Sequence, residues 1–254
     1  MKRLIAVSLM FLLALTGVQA VQAEEELTVS AAASLTNAFT DLGKHFQQKS
    51  PGVKVLFNFA ASGSLMQQIA KGAPVDVFAS ADQKTMNQAQ EKNLIAPGSR
   101  KDFIKNGLTL ISPKTPKVQV KSLKDLTLPE VKRIAIGNPE TVPAGRYAQE
   151  ALKNEDLWKA LEPKLILANT VRQALDYVSR GEVEAGFVFS SDIVIAKDKV
   201  QTVMKVEKHQ PIVYPLAIVA ASRKKDLAQK FIDFVLSPEG QGILAGYGFE
   251  KLGN

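Results

Sequence analysis

The sequence predicts an α/β protein of two lobes, each a mostly parallel sheet flanked by helices, joined by two crossing strands. Three observations lead there. Short apolar runs of strand length alternate with stretches whose apolar residues recur at helical spacing. That alternation occurs twice along the chain. Two extended apolar segments, residues 107–113 and 212–219, flank the second round. Alternation of this kind implies parallel strands linked by right-handed helical crossovers. A single doubly wound domain is the alternative that the pattern leaves open.

The first round starts with a buried strand over 27–32. Leu35, Ala38, Phe39, Leu42 and Phe46 then share one helix face, with Ser34 placed as the N-cap. A strand over 53–59 leads into a helix that begins with Leu65, Met66 and Ile69, and a strand over 75–80 leads into a helix over 83–92. The second round reads strand 133–137, helix 144–153, strand 165–168, helix 171–179 and strand 183–189. A helix over 224–236 and a short one after Pro238 follow the second extended segment and are expected to return to the first lobe. The organisation expected is therefore 24–104 for the first part of lobe 1, 105–215 for lobe 2, and 216–254 for the returning part of lobe 1.

Residues 1–23 carry a different signal. Lys2 and Arg3 precede an apolar run from Leu4 to Leu15, and small-residue sites end at Ala20 and Ala23. That order is the layout of a secretory signal peptide, and the run is too short to span a bilayer. Cleavage after either alanine is compatible with it. The sequence has 0 cysteines, so neither disulfides nor a lipid anchor on cysteine is available. The expected location is the periplasm.

Composition narrows the function. Apolar residues make up 46% and charged residues 22%, enough for a sizeable core. The formal charge of +7 falls to +5 once Lys2 and Arg3 are removed, and the remaining charges lie in mixed runs. There is no basic stripe interleaved with aromatics, so nucleic acid is not an expected partner. The mild positive excess suits an anion, although it also suits plain solubility. A serine hydrolase is the enzyme alternative, but the chain has 2 histidines, His45 and His209, and no Gly-x-Ser-x-Gly elbow. No histidine and carboxylate spacing suggests a metal site. The expectation is a binding protein without catalytic residues or cofactor.

Four strand-to-helix turns carry the chemistry: Ala31-Ala32-Ala33-Ser34, Ala60-Ala61-Ser62-Gly63-Ser64, Thr141-Val142-Pro143-Ala144-Gly145 and Asn169-Thr170-Val171-Arg172. Each is rich in small or hydroxyl residues and opens a helix. A helix start has unpaired N–H groups and partial positive charge, so it holds an anion without a cationic side chain. In open α/β sheets, ligands bind at the carboxyl ends of strands, where these turns lie. Taken singly, Ser34 and Thr170 read as ordinary N-caps and Ser62-Gly63-Ser64 as a plain loop. Two turns from each lobe make a clamp. Six or so hydrogen bonds to a charged ligand, at roughly 1.5–3 kcal/mol each, supply about 9–18 kcal/mol before ordering costs. Micromolar to nanomolar binding needs about 8–12 kcal/mol. Because the turns offer donors and only Glu140 as a nearby carboxylate, a fully deprotonated dianion is expected to fit better than phosphate.

At these residues the chain resembles the periplasmic molybdate-binding protein family. The matching stretches are Ala31 to Ala38, Gly72 to Phe78, Ser80 to Gln83, Asn138-Pro139-Glu140, Val142 to Gly145, Tyr147-Ala148, Val171-Arg172, Gly186-Phe187-Val188 and Tyr247-Gly248-Phe249, in order along nearly the whole mature chain. The resemblance implies a type II two-lobed periplasmic binding protein, expected as a monomer. Such a protein closes on molybdate or tungstate and delivers it to an inner-membrane ABC permease. It implies that Ser34 and Ser62 offer hydroxyl and backbone donors, and that Ala144 and Val171 offer backbone N–H alone. Many members place a tyrosine where this chain has Phe189, so one hydroxyl donor is absent: either Ser190 or Ser191 substitutes for it, or the pocket runs with one bond fewer. Another tetrahedral oxyanion such as sulfate remains the alternative ligand. The scattered Tyr147, Tyr177, Tyr214 and Tyr247 argue against ferric iron.

Overall fold

The apolar face read from Leu35, Ala38, Phe39, Leu42 and Phe46 is fully buried, and the other elements follow the same logic. The computed structural model describes residues 24–253; the signal-peptide reading of 1–23 lies outside them. In chain order the elements are β1 (Glu25–Ala32), α1 (Thr36–Lys49), β2 (Val53–Ala60), α2 (Ser62–Ala70), β3 (Val77–Ala79), α3 (Gln83–Glu91), β4 (Lys101–Asn106) and β5 (Leu108–Pro113). Then come β6 (Ile134–Gly137), α4 (Pro143–Asn154), α5 (Trp158–Leu161), β7 (Leu165–Ala168), α6 (Val171–Ser179), β8 (Ala185–Phe189) and α7 (Ser190–Val194). The chain ends with β9 (Val200–Val206), β10 (Ile212–Ile218), α8 (Lys225–Leu236) and α9 (Pro238–Gly246).

Two five-stranded sheets result, ordered β2-β1-β3-β10-β4 and β7-β6-β8-β5-β9. In each, three consecutive strands run parallel and the fourth is antiparallel to both its neighbours. The sheets are thus mixed, and the two lobes share one topology. The chain passes between them at Gly107 and across residues 207–211. These crossings lie a few residues from the boundaries expected at 104/105 and 215/216.

Register positions the site. Ala32 pairs with Ala60 at the end of the β1–β2 ladder, so the turns after both strands emerge side by side. Gly137 pairs with Ala168 in the other sheet, which does the same for the turns before α4 and α6. The first lobe is locked by aromatic packing. Phe231 of α8 meets Phe46 at 5.3 Å and Phe39 at 6.2 Å between ring centres, edge to face. The C-terminal helices therefore pack against the first sheet and α1. Each such buried ring contributes roughly 1.5–3 kcal/mol of burial.

Some details differ from the sequence reading. The strands β4 and β9 escape it because they lie at sheet edges and carry charge or alternate polar residues: Lys101-Asp102 and Lys105 in β4, Gln201, Thr202 and Lys205 in β9. Edge strands tolerate such residues and use them against edge-to-edge association. Ser34 is not the N-cap of α1. A 3₁₀ turn over Ala33–Leu35 precedes that helix, Leu35 holds the cap position without a side-chain bond, and the Ser34 hydroxyl is engaged elsewhere. Thr170 does cap α6, its Oγ1 accepting from Gln173 N at 3.1 Å.

Candidate anion site

The four turns converge. Ala32, Ala33 and Ser34, Ala60, Ala61 and Ser62, Val142 and Pro143, and Val171 line one small pocket between the lobes, closed by Ala81 and Phe189. Its cavity volume is about 10 Å³. Among the described residues lining it there is no charged side chain. Alanine at so many wall positions lets a ligand reach the backbone.

Each wall presents a helix start. Ser62 and Val171 are the first residues of α2 and α6, and Ala144 is the second residue of α4, behind Pro143. The N–H groups of first-turn residues have no carbonyl one turn back to bond, and the helix dipole gives that end positive character. Proline at the first position sacrifices only a donor that would lack an intrahelical partner anyway. Gly145 lets α4 approach β6 closely: a Cβ there would lie 1.8 Å from the Gly137 carbonyl oxygen. The Ser62 hydroxyl accepts from Ala81 N at 3.0 Å, which leaves its own proton to donate. Ser34, also buried, pairs with the Tyr214 hydroxyl at 3.0 Å.

The expected residues separate in two ways. Ser34, Ser62 and Val171 stand on the pocket wall, Ala144 is fully buried beside it, and Phe189 forms its end. Phe189 packs edge-on against Tyr147 and Tyr214 at 6.4 and 5.7 Å. Ser190 does not line the pocket. Its hydroxyl pairs with Thr109 Oγ1 at 3.0 Å and its N–H donates to the Gly107 carbonyl, so β5 and the crossing hold it away. Ser191 is likewise occupied by Asn106 Nδ2, at 2.9 Å.

Two arginines were given no role in the sequence reading, although Arg172 lies inside a quoted turn and Arg146 between two quoted stretches. Arg172 of α6 lies 2.8 Å from the buried carboxylate of Asp192 on its own lobe. It also reaches across to lobe 1, donating to the Ser34 carbonyl and to Asn37 Oδ1, each at 3.0 Å. Arg146 of α4 crosses in the same sense, to Asp82 at 2.7–2.8 Å and to Thr85 Oγ1 at 2.7 Å. Burial pushes the Asp192 carboxyl up from its ordinary range, while Arg172 and the Phe189 N–H pull the other way. Asp82 is hydrogen-bonded by Arg146, whereas Asp192 lies at ion-pair distance from Arg172 without hydrogen-bond geometry; neither carboxylate lines the pocket. One backbone bond also spans the cleft, Gly63 N to Thr141 O at 3.0 Å.

Comparison with known proteins bears on the family and the fold. The profile of a family described as bacterial extracellular solute-binding protein matches residues 27–250. A relative from Escherichia coli (strain K12), "Molybdate-binding protein ModA", is 40% identical over 236 residues, covering 89% of each chain. Among solved structures, the substrate binding domain of a putative molybdenum ABC transporter from Clostridium difficile is 42% identical. It superposes with a TM-score of 0.68 over 90% of this chain and 99% of that one. The Azotobacter vinelandii periplasmic molybdate-binding protein gives a TM-score of 0.80 at 26% identity, over 89% and 100%.

Proposed function

This chain belongs to the bacterial extracellular solute-binding protein family, and from that premise we propose that it binds molybdate, and tungstate with it, for delivery to an ABC-type import permease. One observation carries the reading. Three α-helix starts and the 3₁₀ turn at Ser34, two turns from each lobe, meet at a pocket walled by small residues and two serines, with no charged side chain in the wall. Such a pocket attracts a dianion through peptide dipoles and hydroxyl donors, and it offers a protonated anion no free carboxylate.

Ser34 and Ser62 donate through their hydroxyls, and Ala144 and Val171 through backbone N–H. Phe189 closes the end of the pocket without a donor. The two lobes hinge at Gly107 and residues 207–211 and shut around the ligand, with Arg146 and Arg172 joining across the gap. The protein works as a monomer in the periplasm, exported through residues 1–23. Catalysis has no support in the histidines. His45 pairs with Glu239 at 3.3 Å, His209 bonds to the Val206 and Gln210 carbonyls, and the partner of Ser34 is a tyrosine.

Calorimetric and thermal-shift titration with molybdate, tungstate, sulfate and phosphate tests the reading. Molybdate at 100 times its Kd stabilises the folded state by about 2.7 kcal/mol. Replacing Ser34 or Ser62 by alanine weakens molybdate binding roughly 10- to 100-fold. No response to either group-six oxyanion, or free replacement of both serines, overturns it.

A further inference from the structure

The pocket's two serines differ in how their protons are directed. At Ser62 the matter is closed by a backbone N–H, which can only donate, so the hydroxyl points its own proton elsewhere. At Ser34 the partner is a second hydroxyl, Tyr214, and either oxygen could donate. The next link decides it. Tyr214 also lies 3.1 Å from Asn106 Nδ2, and the same nitrogen lies 2.9 Å from Ser191 Oγ. The orientation of the Asn106 amide is fixed independently, because its Oδ1 accepts from Gly107 N at 2.9 Å and from Ser191 N at 3.3 Å. An amide nitrogen could not take that place, since two N–H groups would face it.

We infer that Asn106 and Tyr214 form a relay that aims the Ser34 proton into the pocket and so selects fully deprotonated oxyanions. Asn106 Nδ2 donates to the Tyr214 oxygen, Tyr214 donates its single proton to Ser34 Oγ, and Ser34 is left to donate to the ligand. Burial pushes the Tyr214 hydroxyl well above the usual phenol range, so it keeps the proton the relay needs. The chain starts at the crossing between lobes, since Gly107 links the two sheets. Both residues are positioning residues acting through Ser34, and the inference rests on Ser34 contacting the anion. Hydrogenphosphate has the same charge as molybdate but carries a proton that needs an acceptor, which the relay denies it.

Asn106→Asp reverses the order. The new carboxylate accepts from Tyr214, Tyr214 accepts from Ser34, and Ser34 presents a lone pair to the pocket. Tyr214→Phe removes the relay and frees the Ser34 rotor, leaving the ring packed between Phe103, Phe189 and Phe249. The experiment is calorimetric titration of wild type and both variants with molybdate, and competition by inorganic phosphate above its second ionisation. Comparing two dianions cancels the repulsion from the added charge. The expected result is a fall of about tenfold or more in the preference for molybdate over hydrogenphosphate, larger in Asn106→Asp than in Tyr214→Phe. Loss of affinity for both anions in equal proportion overturns the relay and leaves the oxyanion function standing. A wild type that binds no molybdate sinks the functional reading and the relay with it. Should Asn106→Asp not fold, the ratio measured on Tyr214→Phe decides alone.

Discussion

Arg146 and Arg172 do similar work with different electrostatics. Both rise from helix starts of lobe 2 and both reach lobe 1. The carboxylate of Arg146 belongs to the opposite lobe, so parting the lobes breaks the ion pair itself. The carboxylate of Arg172 belongs to its own lobe, so parting the lobes breaks only the bonds to Ser34 O and Asn37 and leaves the ion pair whole. Arg146 is a latch whose charge is part of closure. Arg172 is a fork whose charge is neutralised beforehand, leaving its geometry to report closure. The lesson is that two cross-lobe contacts of similar appearance act on different equilibria, one on opening and one on folding.

Asp192→Ala strikes the folding side hardest. It strands the largely buried Arg172 charge, and a broken buried pair costs about 3–5 kcal/mol. Urea unfolding of the ligand-free protein measures this, and a loss under about 1 kcal/mol breaks the comparison. Arg172→Lys keeps the charge but not the planar fork, so molybdate binding is expected to weaken about tenfold, as read by calorimetry. Arg146→Gln comes next. The pair forms only while the lobes are shut, and glutamine can still donate one hydrogen bond to Asp82, so about 1 kcal/mol is expected in ligand affinity. Stopped-flow release should show most of that as a faster off-rate, with the unfolding midpoint of the ligand-free protein almost unmoved. Asn37→Ala removes one exposed acceptor of Arg172 and is expected to cost about 0.5 kcal/mol, roughly a twofold change in Kd.

Much of this was legible in the chain. Local periodicity exposed the helices because each buries one stripe, and α6 was read to the residue, with Thr170 as its cap. The small-residue turns pointed to a backbone-lined anion site because that chemistry needs neighbours in sequence: a strand end, a small residue, a helix start. What escaped depends on partners far apart in sequence. Tyr214 lies 180 residues from Ser34, and Arg172 lies 138 from the carbonyl it holds. No spacing rule connects such positions. Ser34 misled for the same reason: a serine before a helix satisfies the local cap pattern, and only the folded neighbour shows its hydroxyl to be taken. Ser190 sits on the far side of a turn whose direction depends on Gly107, where a Cβ would lie 2.7 Å from the Ser190 hydroxyl.

Gly63 is where the two halves meet backbone to backbone. A methyl group at that position would lie 2.9 Å from both the Cα and the carbonyl oxygen of Thr141, closer than unstrained atoms allow. The conflict exists only while the halves are shut, because Thr141 withdraws with its own sheet. A single added carbon in Gly63→Ala therefore acts as a doorstop, wedging the jaws ajar while each remains intact. A narrow tolerance then lies at the seam of the molecule, in a residue that has no side chain to offer the ligand.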